Sequence, residues 1–297
     1  MPARRYVVVV NPWGGTRRGL TVLETVKPVF REAGAELDVR VTTGPGHAAR
    51  IAETIDLAGC DGFGLVGGDG TLHEVVSGLM GRGKCVSTPL GVIPGGTGNS
   101  LLEHLQCIDP LDAARRIVVG NTQPLDVVRV TMGSEVTYCV NIVGWGALVD
   151  ISLTAEKLRA LGPPRYALAA MSHILRAKRR RATLILDGQA LEDDFLFVVA
   201  CNTRFSGKRM QLAPRADSSD GKIDVMFIRR ASRLQMLNLF KKVFDGSHLS
   251  LPFVEYRQVR SFRIESGSCD LLNLDGELKG ATPMTAEMMP AALQIFA

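Results

Sequence analysis

The sequence predicts an α/β domain followed by a β-rich, sandwich-like domain, and three observations carry that expectation. Early in the chain, three segments repeat one grammar: an apolar strand, a glycine-rich loop, then an amphipathic helix, as in a parallel sheet covered on both faces. Beyond residue 124, short candidate strands outnumber helices. The 297 residues, 46% of them hydrophobic, suffice for two cores, since domains run to about 100–200 residues.

The first segment is the strand 6–10, then NPWGGTRRG, then a helix whose Val22, Leu23, Val26, Val29 and Phe30 fall at helical spacing. The second is the strand 63–66, then GGDG, then Leu72, Val75, Val76, Leu79 and Met80 on one stripe. The third is the strand 90–93, then PGGTGN, then Leu101, Leu102 and Leu105. Ligands of such sheets bind beyond the carboxyl ends of the strands, so all three loops are expected on one edge. Glycine lets the backbone approach a ligand closely, and a helix start offers unpaired N–H groups to negative charge. The natural guest is a phosphate. One such loop would be weak evidence, because turns use glycine merely to fit; three on one rim are a stronger signal.

Asp69 sits alone among the glycines of the second loop. Aspartate is an ordinary turn residue, but the turn needs no carboxylate. At the mouth of a phosphate loop it could orient Mg²⁺ or accept a proton from a hydroxyl nucleophile. Thr71 with Glu74, and Ser100 with Glu103, have the spacing of capping boxes, which would serve the helix starts whatever the function. The G-x-G-x-x-G at 62–67 begins inside the predicted strand, the wrong context for a dinucleotide fingerprint. The sequence contains no Walker loop, no H-E-x-x-H helix, no zinc spacing and no G-x-S-x-G elbow.

Cysteines 60, 85, 107, 139, 201 and 269 form no Cys-x-x-Cys pair and sit mostly beside apolar residues, which suits a reducing compartment. The opening segment reads as a strand, not a signal peptide, and no apolar run reaches the roughly 18–20 residues of a membrane span. A cytoplasmic location is expected; an organellar form stripped of a transit peptide is also compatible. The formal charge of +5 includes the clusters AKRRRA (177–182) and RRASR (229–233). Each alone reads first as a solvated basic face, with transient contact to an anionic membrane surface as the functional alternative and no nucleic-acid partner expected.

NPWGG, GGDGTLHEVVSGL and PGGTGNSL together resemble the three nucleotide-site motifs of the diacylglycerol kinase catalytic-domain superfamily, which includes diacylglycerol, ceramide and sphingosine kinases. The GGDGT element alone is shared with NAD kinases. The resemblance spans about residues 6–280 and lies nearest the sphingosine and long-chain base kinases. It implies that ATP is held by Asn11, Pro12, Trp13, Gly14, Gly15, Thr42, Gly67, Gly68, Gly70, Thr71, Glu74, Gly96, Thr97, Gly98 and Asn99, with Mg²⁺ on its phosphates and Asp69 as general base. The stretch GWGALVDISLTAEKLRALGPPRY (144–166) is similar to the family's lipid-recognition region. By that resemblance Asp150 faces the lipid head group, and Arg159 and Arg165 reach nucleotide phosphates. Sphingosine kinases tend to carry a second aspartate two residues on, suited to a sphingoid amine; here the position is Ser152.

LNLDGE (272–277) resembles the family's Asp-Gly-Glu motif, implying that Asp275, Gly276 and Glu277 contact nucleotide or metal. Asp-Gly is equally a favoured hairpin turn, and it recurs at Asp187–Gly188. APRADSSDGKIDV (213–225) resembles a family strand connection in which Asp217 and Asp220 support the metal.

The implied architecture is a Rossmann-like nucleotide-binding domain over 1–124 and a β-sandwich-like lipid domain over 125–297, with the active site in the cleft between them and the last strand a candidate to return to the first domain. Candidate strands of the second half are 125–132, 135–143, 183–187, 195–201, 222–228, 259–265 and 270–275, with helical stretches at 152–176 and 232–244. The expected function is ATP-dependent phosphorylation of a hydroxyl on a sphingoid long-chain base or related lipid. The alternatives are a diacylglycerol or ceramide kinase on the same fold, or a catalytically silent, nucleotide-regulated lipid-binding protein. NAD kinase is disfavoured by Asp150 and its surroundings.

Overall fold

The computed structural model describes residues 3–15, 17–83, 86–158, 161–162, 165–176, 178–207 and 209–297. They form two compact units: 1–127 with 218–220 and 289–297, and 128–217 with 221–288.

The first unit runs β1 (Arg5–Val10), α1 (Gly19–Glu32), β2 (Glu36–Val41), α2 (His47–Thr54), β3 (Gly62–Gly67), α3 (Asp69–Gly81), β4 (Leu90–Pro94), α4 (Ser100–His104) and α5 (Pro110–Val119). Its strands lie in the order β2-β1-β3-β4, all parallel, and the chain's final strand joins β4 through Ile295 opposite Leu90. Every residue of β3 and β4 is buried, as helices on both faces require of unbroken apolar strands. The glycines of 62–67 are spent on this packing: a Cβ on Gly62 would stand 2.8 Å from the Phe296 ring and 2.9 Å from that of Tyr6. β2, ELDVRV, is absent from the expected strands because an edge position leaves it half polar. Helix α1 buries Val22, Leu23, Val26 and Phe30 of the stripe its spacing predicts, while Val29 is half-buried.

β5 (Thr122–Met132) carries the chain into the second unit, followed by β6 (Glu135–Cys139), β7 (Ile142–Gly146), α6 (Ala147–Lys157), α7 (Arg165–Arg176), β8 (Arg180–Leu186), β9 (Gln189–Phe195), β10 (Phe197–Cys201), β11 (Ile223–Ile228), α8 (Arg233–Lys242), β12 (Glu255–Val259), β13 (Ser261–Ser266), β14 (Leu271–Leu274), β15 (Glu277–Ala281) and β16 (Met284–Phe296). β12-β11-β10-β7-β14-β15 form an antiparallel sheet. Against it, β9-β8-β13 and the start of β16 supply Leu184, Phe262, Ile264 and Ala286 to a core shared with Val198, Ala200, Val225 and Phe227. This is a sandwich. The alternate residues of the six-stranded sheet, Phe197, Val199, Met226 and Ile228, meet Ile174 of α7 and Met236 and Leu239 of α8 on the other face. β7, β10 and β11 are therefore buried throughout, and the sequences of β10 and β11 read as apolar runs.

The structure refines several boundaries. The run expected at 135–143 is two strands, broken where the amides of Val140 and Asn141 turn to the Asp275 carboxylate. The stretch 195–201 is the end of β9 and all of β10. The helix expected over 152–176 is α6 and α7.

Candidate active site

The register of the parallel sheet sets its strand ends level: Val10 lies opposite both Val41 and Val66, and Gly67 opposite Pro94. The segments leaving β1, β2, β3 and β4 therefore emerge on one edge. Strand order reverses between β1 and β3, the switch point at which open α/β sheets hold ligands. Direct contacts join the loops. Asn11 Nδ2 donates to Thr71 Oγ1 at 3.0 Å, while its Oδ1 accepts from Trp13 N at 2.9 Å. Gly95 N and Gly96 N donate to Gly67 O at 2.8 and 3.2 Å. Thr42, buried on the same edge, donates its N–H to Val10 O at 2.9 Å. Close approach of the loops demands glycine, as two positions illustrate. A Cβ on Gly96 would stand 2.4 Å from Gly68 Cα, and one on Gly15, where φ is +52°, 2.9 Å from Thr97 N.

Asp69 opens α3 in the middle of this rim, half-buried. Its N–H donates to Gly98 O at 3.0 Å. Its Oδ1 accepts from Ser100 N at 2.8 Å and its Oδ2 from Ser100 Oγ at 2.9 Å, so the carboxylate of the second loop anchors the start of the helix after the third. The first bond inside α3 runs from Leu72 N to Gly68 O, so the amides of Gly70 and Thr71 have no acceptor within the helix. Asn99 adds a polar group: its Nδ2 donates to Gly96 O at 3.2 Å, and its buried Oδ1 has no partner among the described residues. Trp13 is 61% exposed, with the Arg17 guanidinium 5.9 Å from its ring centre.

Neither expected capping box forms. The N-caps are Gly68 for α3 and Asn99 for α4, and neither makes a side-chain cap. Thr71 and Ser100 fall inside the first turn, one position or more too late to cap, and their hydroxyls go to Asn11 and Asp69. Glu74 instead accepts from Gly46 N at 2.9 Å and Ala48 N at 3.1 Å, closing the start of α2.

In the second unit, Asp150 on α6 is held by Arg180 of β8, whose Nη2 reaches Oδ1 at 2.8 Å and Oδ2 at 2.9 Å. Sequence reasoning missed Arg180, which it counted only within a basic cluster. Part of each cluster is matched: Arg181 pairs with Glu192 at 3.0 Å, and Arg229 of the second cluster with Asp193 at 3.2 Å and Glu255 at 2.5 Å. Arg165 lies 3.9 Å from Glu156 and over the Tyr166 ring, while Arg159 lies outside the described residues. Burial lowers the pKa of His173, whose Nε2 bonds Thr154 Oγ1 at 2.7 Å.

Asp275 and Gly276, at φ +54° and +96°, make the two-residue turn between β14 and β15. The buried Asp275 carboxylate accepts from Val140 N, Asn141 N and Ile142 N at 2.8–2.9 Å. The turn at Asp187–Gly188 does the same with Arg260 N and Ser261 N at 2.9–3.2 Å. Asp275 thus has a fold role of its own, whereas Gly276 and Glu277 are exposed.

Residues 5–130 match the diacylglycerol kinase catalytic domain, and residues 141–297, more than half of the chain, match the YegS C-terminal NAD kinase beta sandwich-like domain. The chain belongs to this family of lipid kinases. It is 33% identical to the "Probable lipid kinase YegS-like" of Chromohalobacter salexigens, over 90% of this chain and 86% of that one. It is 26% identical to sphingosine kinase 1 of Arabidopsis thaliana over 89% of its length, but spans only 65% of that longer protein. A crystal structure of a diacylglycerol kinase from Bacillus anthracis superposes with a TM-score of 0.77 over 100% of this chain and 97% of that one, at 20% identity, which establishes the shared fold.

Within this lipid kinase fold the metal side is less developed. Asp217 belongs to the second unit and Asp220 to the first, and both are exposed. Among the described residues neither joins a group of three His, Cys, Asp or Glu side chains close enough to share an ion. No helix among the described residues is long and apolar enough to cross a membrane.

Proposed function

We propose that the chain transfers the γ-phosphoryl group of ATP to a hydroxyl of a lipid, either a sphingoid long-chain base or a diacylglycerol or ceramide, with Asp69 as the general base. The observation that carries this reading is the rim itself: glycine loops in mutual contact, helix-start amides at Gly70 and Thr71, and one carboxylate held among them by Ser100. The amides and the positive end of the α3 dipole favour phosphate oxygens. An ionised carboxylate at this position can take the proton of an attacking hydroxyl. Mg²⁺, when bound, would neutralise charge on the transferring phosphate. In this reading Asp150, by resemblance to the family's lipid-recognition stretch, faces the lipid head group.

An exposed face supports delivery of the lipid from a bilayer. Leu168, Met171 and Leu175 of α7 are 50%, 41% and 52% exposed, and the exposed Arg176, Lys178 and Arg179 follow them. Apolar side chains beside cations suit a surface of anionic lipid. Sedimentation with phosphatidylserine-containing vesicles should therefore weaken with added salt and with Met171→Glu; binding unaffected by either contradicts this contact.

The decisive assay is radiolabelled ATP with sphingosine, ceramide and diacylglycerol, run on wild type and Asp69→Asn. Loss of the base with the fold intact should cost on the order of 10²-fold to 10⁴-fold in turnover. Near-normal turnover by Asp69→Asn removes it as base, and no labelled lipid from the wild type favours the silent lipid-binding alternative.

A further inference from the structure

The lipid end of this reading rests on Asp150, and the structure shows that carboxylate already matched by a cation. The Arg180 guanidinium grips both oxygens of Asp150 through Nη2, and its side chain is only 15% exposed. A planar guanidinium held this way is a fixed feature, unlike a mobile surface pair. The second position at which an ammonium could find an acceptor is also committed. Ser152 Oγ donates to Leu148 O at 2.9 Å and accepts from Asn273 Nδ2 at 3.1 Å.

The nearest other carboxylate is Asp270, 3.8 Å from Arg180 Nε. Its oxygens accept from Trp145 Nε1 at 3.2 Å and Ser268 Oγ at 3.0 Å. The three charged groups sum to one negative charge, yet each carboxylate faces a donor. What the cluster retains is donor capacity: Arg180 Nη1 is buried and has no hydrogen-bond partner among the described residues. A buried N–H without an acceptor is costly, and a guanidinium already beside Asp150 opposes a second cation there.

We infer that Arg180 is a specificity-determining residue, which neutralises Asp150 so that the site selects a lipid with an uncharged head group, as in a diacylglycerol, over a protonated sphingoid amine. This inference rests on the lipid kinase reading and on Asp150 facing the head group, and it names the substrate class of that site.

The test compares kcat/KM for diacylglycerol and sphingosine in wild type, Arg180→Gln, Arg180→Lys and the double variant Asp150→Asn with Arg180→Gln, each checked by thermal melting. Wild type should prefer diacylglycerol. Arg180→Gln should move the ratio toward sphingosine by about tenfold or more, because Asp150 is then an unmatched carboxylate. Arg180→Lys, which keeps the charge, should stay near wild type, and the double variant should show no gain for sphingosine. Should Arg180→Gln fail to fold, competition on the wild type decides: a long-chain alcohol should inhibit better than the amine of equal chain length. A wild type that prefers sphingosine, an unchanged ratio in Arg180→Gln, or stronger inhibition by the amine overturns the role of Arg180 while leaving the kinase reading intact. Turnover of neither lipid overturns both.

Discussion

Asp69 combines two roles that substitution can separate. Its carboxylate organises the third loop through Ser100 N and Ser100 Oγ, so part of any loss in Asp69→Asn is structural. Ser100→Ala removes the hydroxyl contact, worth about 0.5–1.5 kcal/mol net, and keeps the acid. Its turnover should fall by no more than about tenfold, well short of the Asp69→Asn loss. Equal losses in the two variants would mean that Asp69 serves only to hold the loop. Asp69 stood out in the sequence because a lone carboxylate among glycines has no packing reason to be there. Its partner did not, because Ser100 looks like a helix cap until the helix is seen to start one residue earlier, at an Asn99 cap. Arg180 was hidden more deeply. It lies thirty residues from Asp150 in sequence, inside a run of arginines whose composition suggested solvent.

The elements of the first unit are bound by backbone proximity at the loops, which makes single methyl groups informative. Gly96→Ala would drive a Cβ to 2.4 Å from Gly68 Cα, and no flexible side chain is there to yield. Overpacking of this kind typically costs about 1–3 kcal/mol. The third loop should shift off the second, weakening ATP binding by about tenfold or more in calorimetric titration. Gly81→Ala, at the other end of α3 with open space around its Cβ, should leave ATP binding unchanged; equal effects at the two positions would deny the loops their special geometry. Strand type was legible in strands buried on both faces such as VVVV of β1 and IDVMFI of β11, less so in β7, where glycines interrupt the apolar run. It was not legible in β2, β9 and β15, whose polar, exposed sides match the composition of loops. The capping residues deceived for a related reason: spacing alone cannot tell whether Glu74 turns to its own helix or, as it does, to α2.

Across the whole molecule, stability should depend on pH through buried histidines. His248 is fully buried with Nε2 on Leu212 O, and burial lowers its pKa, as it does less completely for His173. The folded protein therefore binds fewer protons than the unfolded chain below the ordinary value of 6.5. The stabilisation is fully present above that pH and is lost as pH falls toward the folded-state value. Asp193 and Asp245, whose hydrogen bonds lower them from 3.8, act only in more acid solution. Melting temperature should accordingly drop between pH 7.5 and 5.5, and His248→Gln should flatten that dependence; an unchanged slope would remove His248 as its source. The central claim concerns the rim, and hydrogen exchange of the wild-type protein with and without Mg²⁺ and ATP tests it most directly. The amides of 11–15, 68–71 and 95–100 should gain protection together on nucleotide addition. Protection confined to one of these loops, or appearing only elsewhere in the chain, would contradict a shared phosphate site.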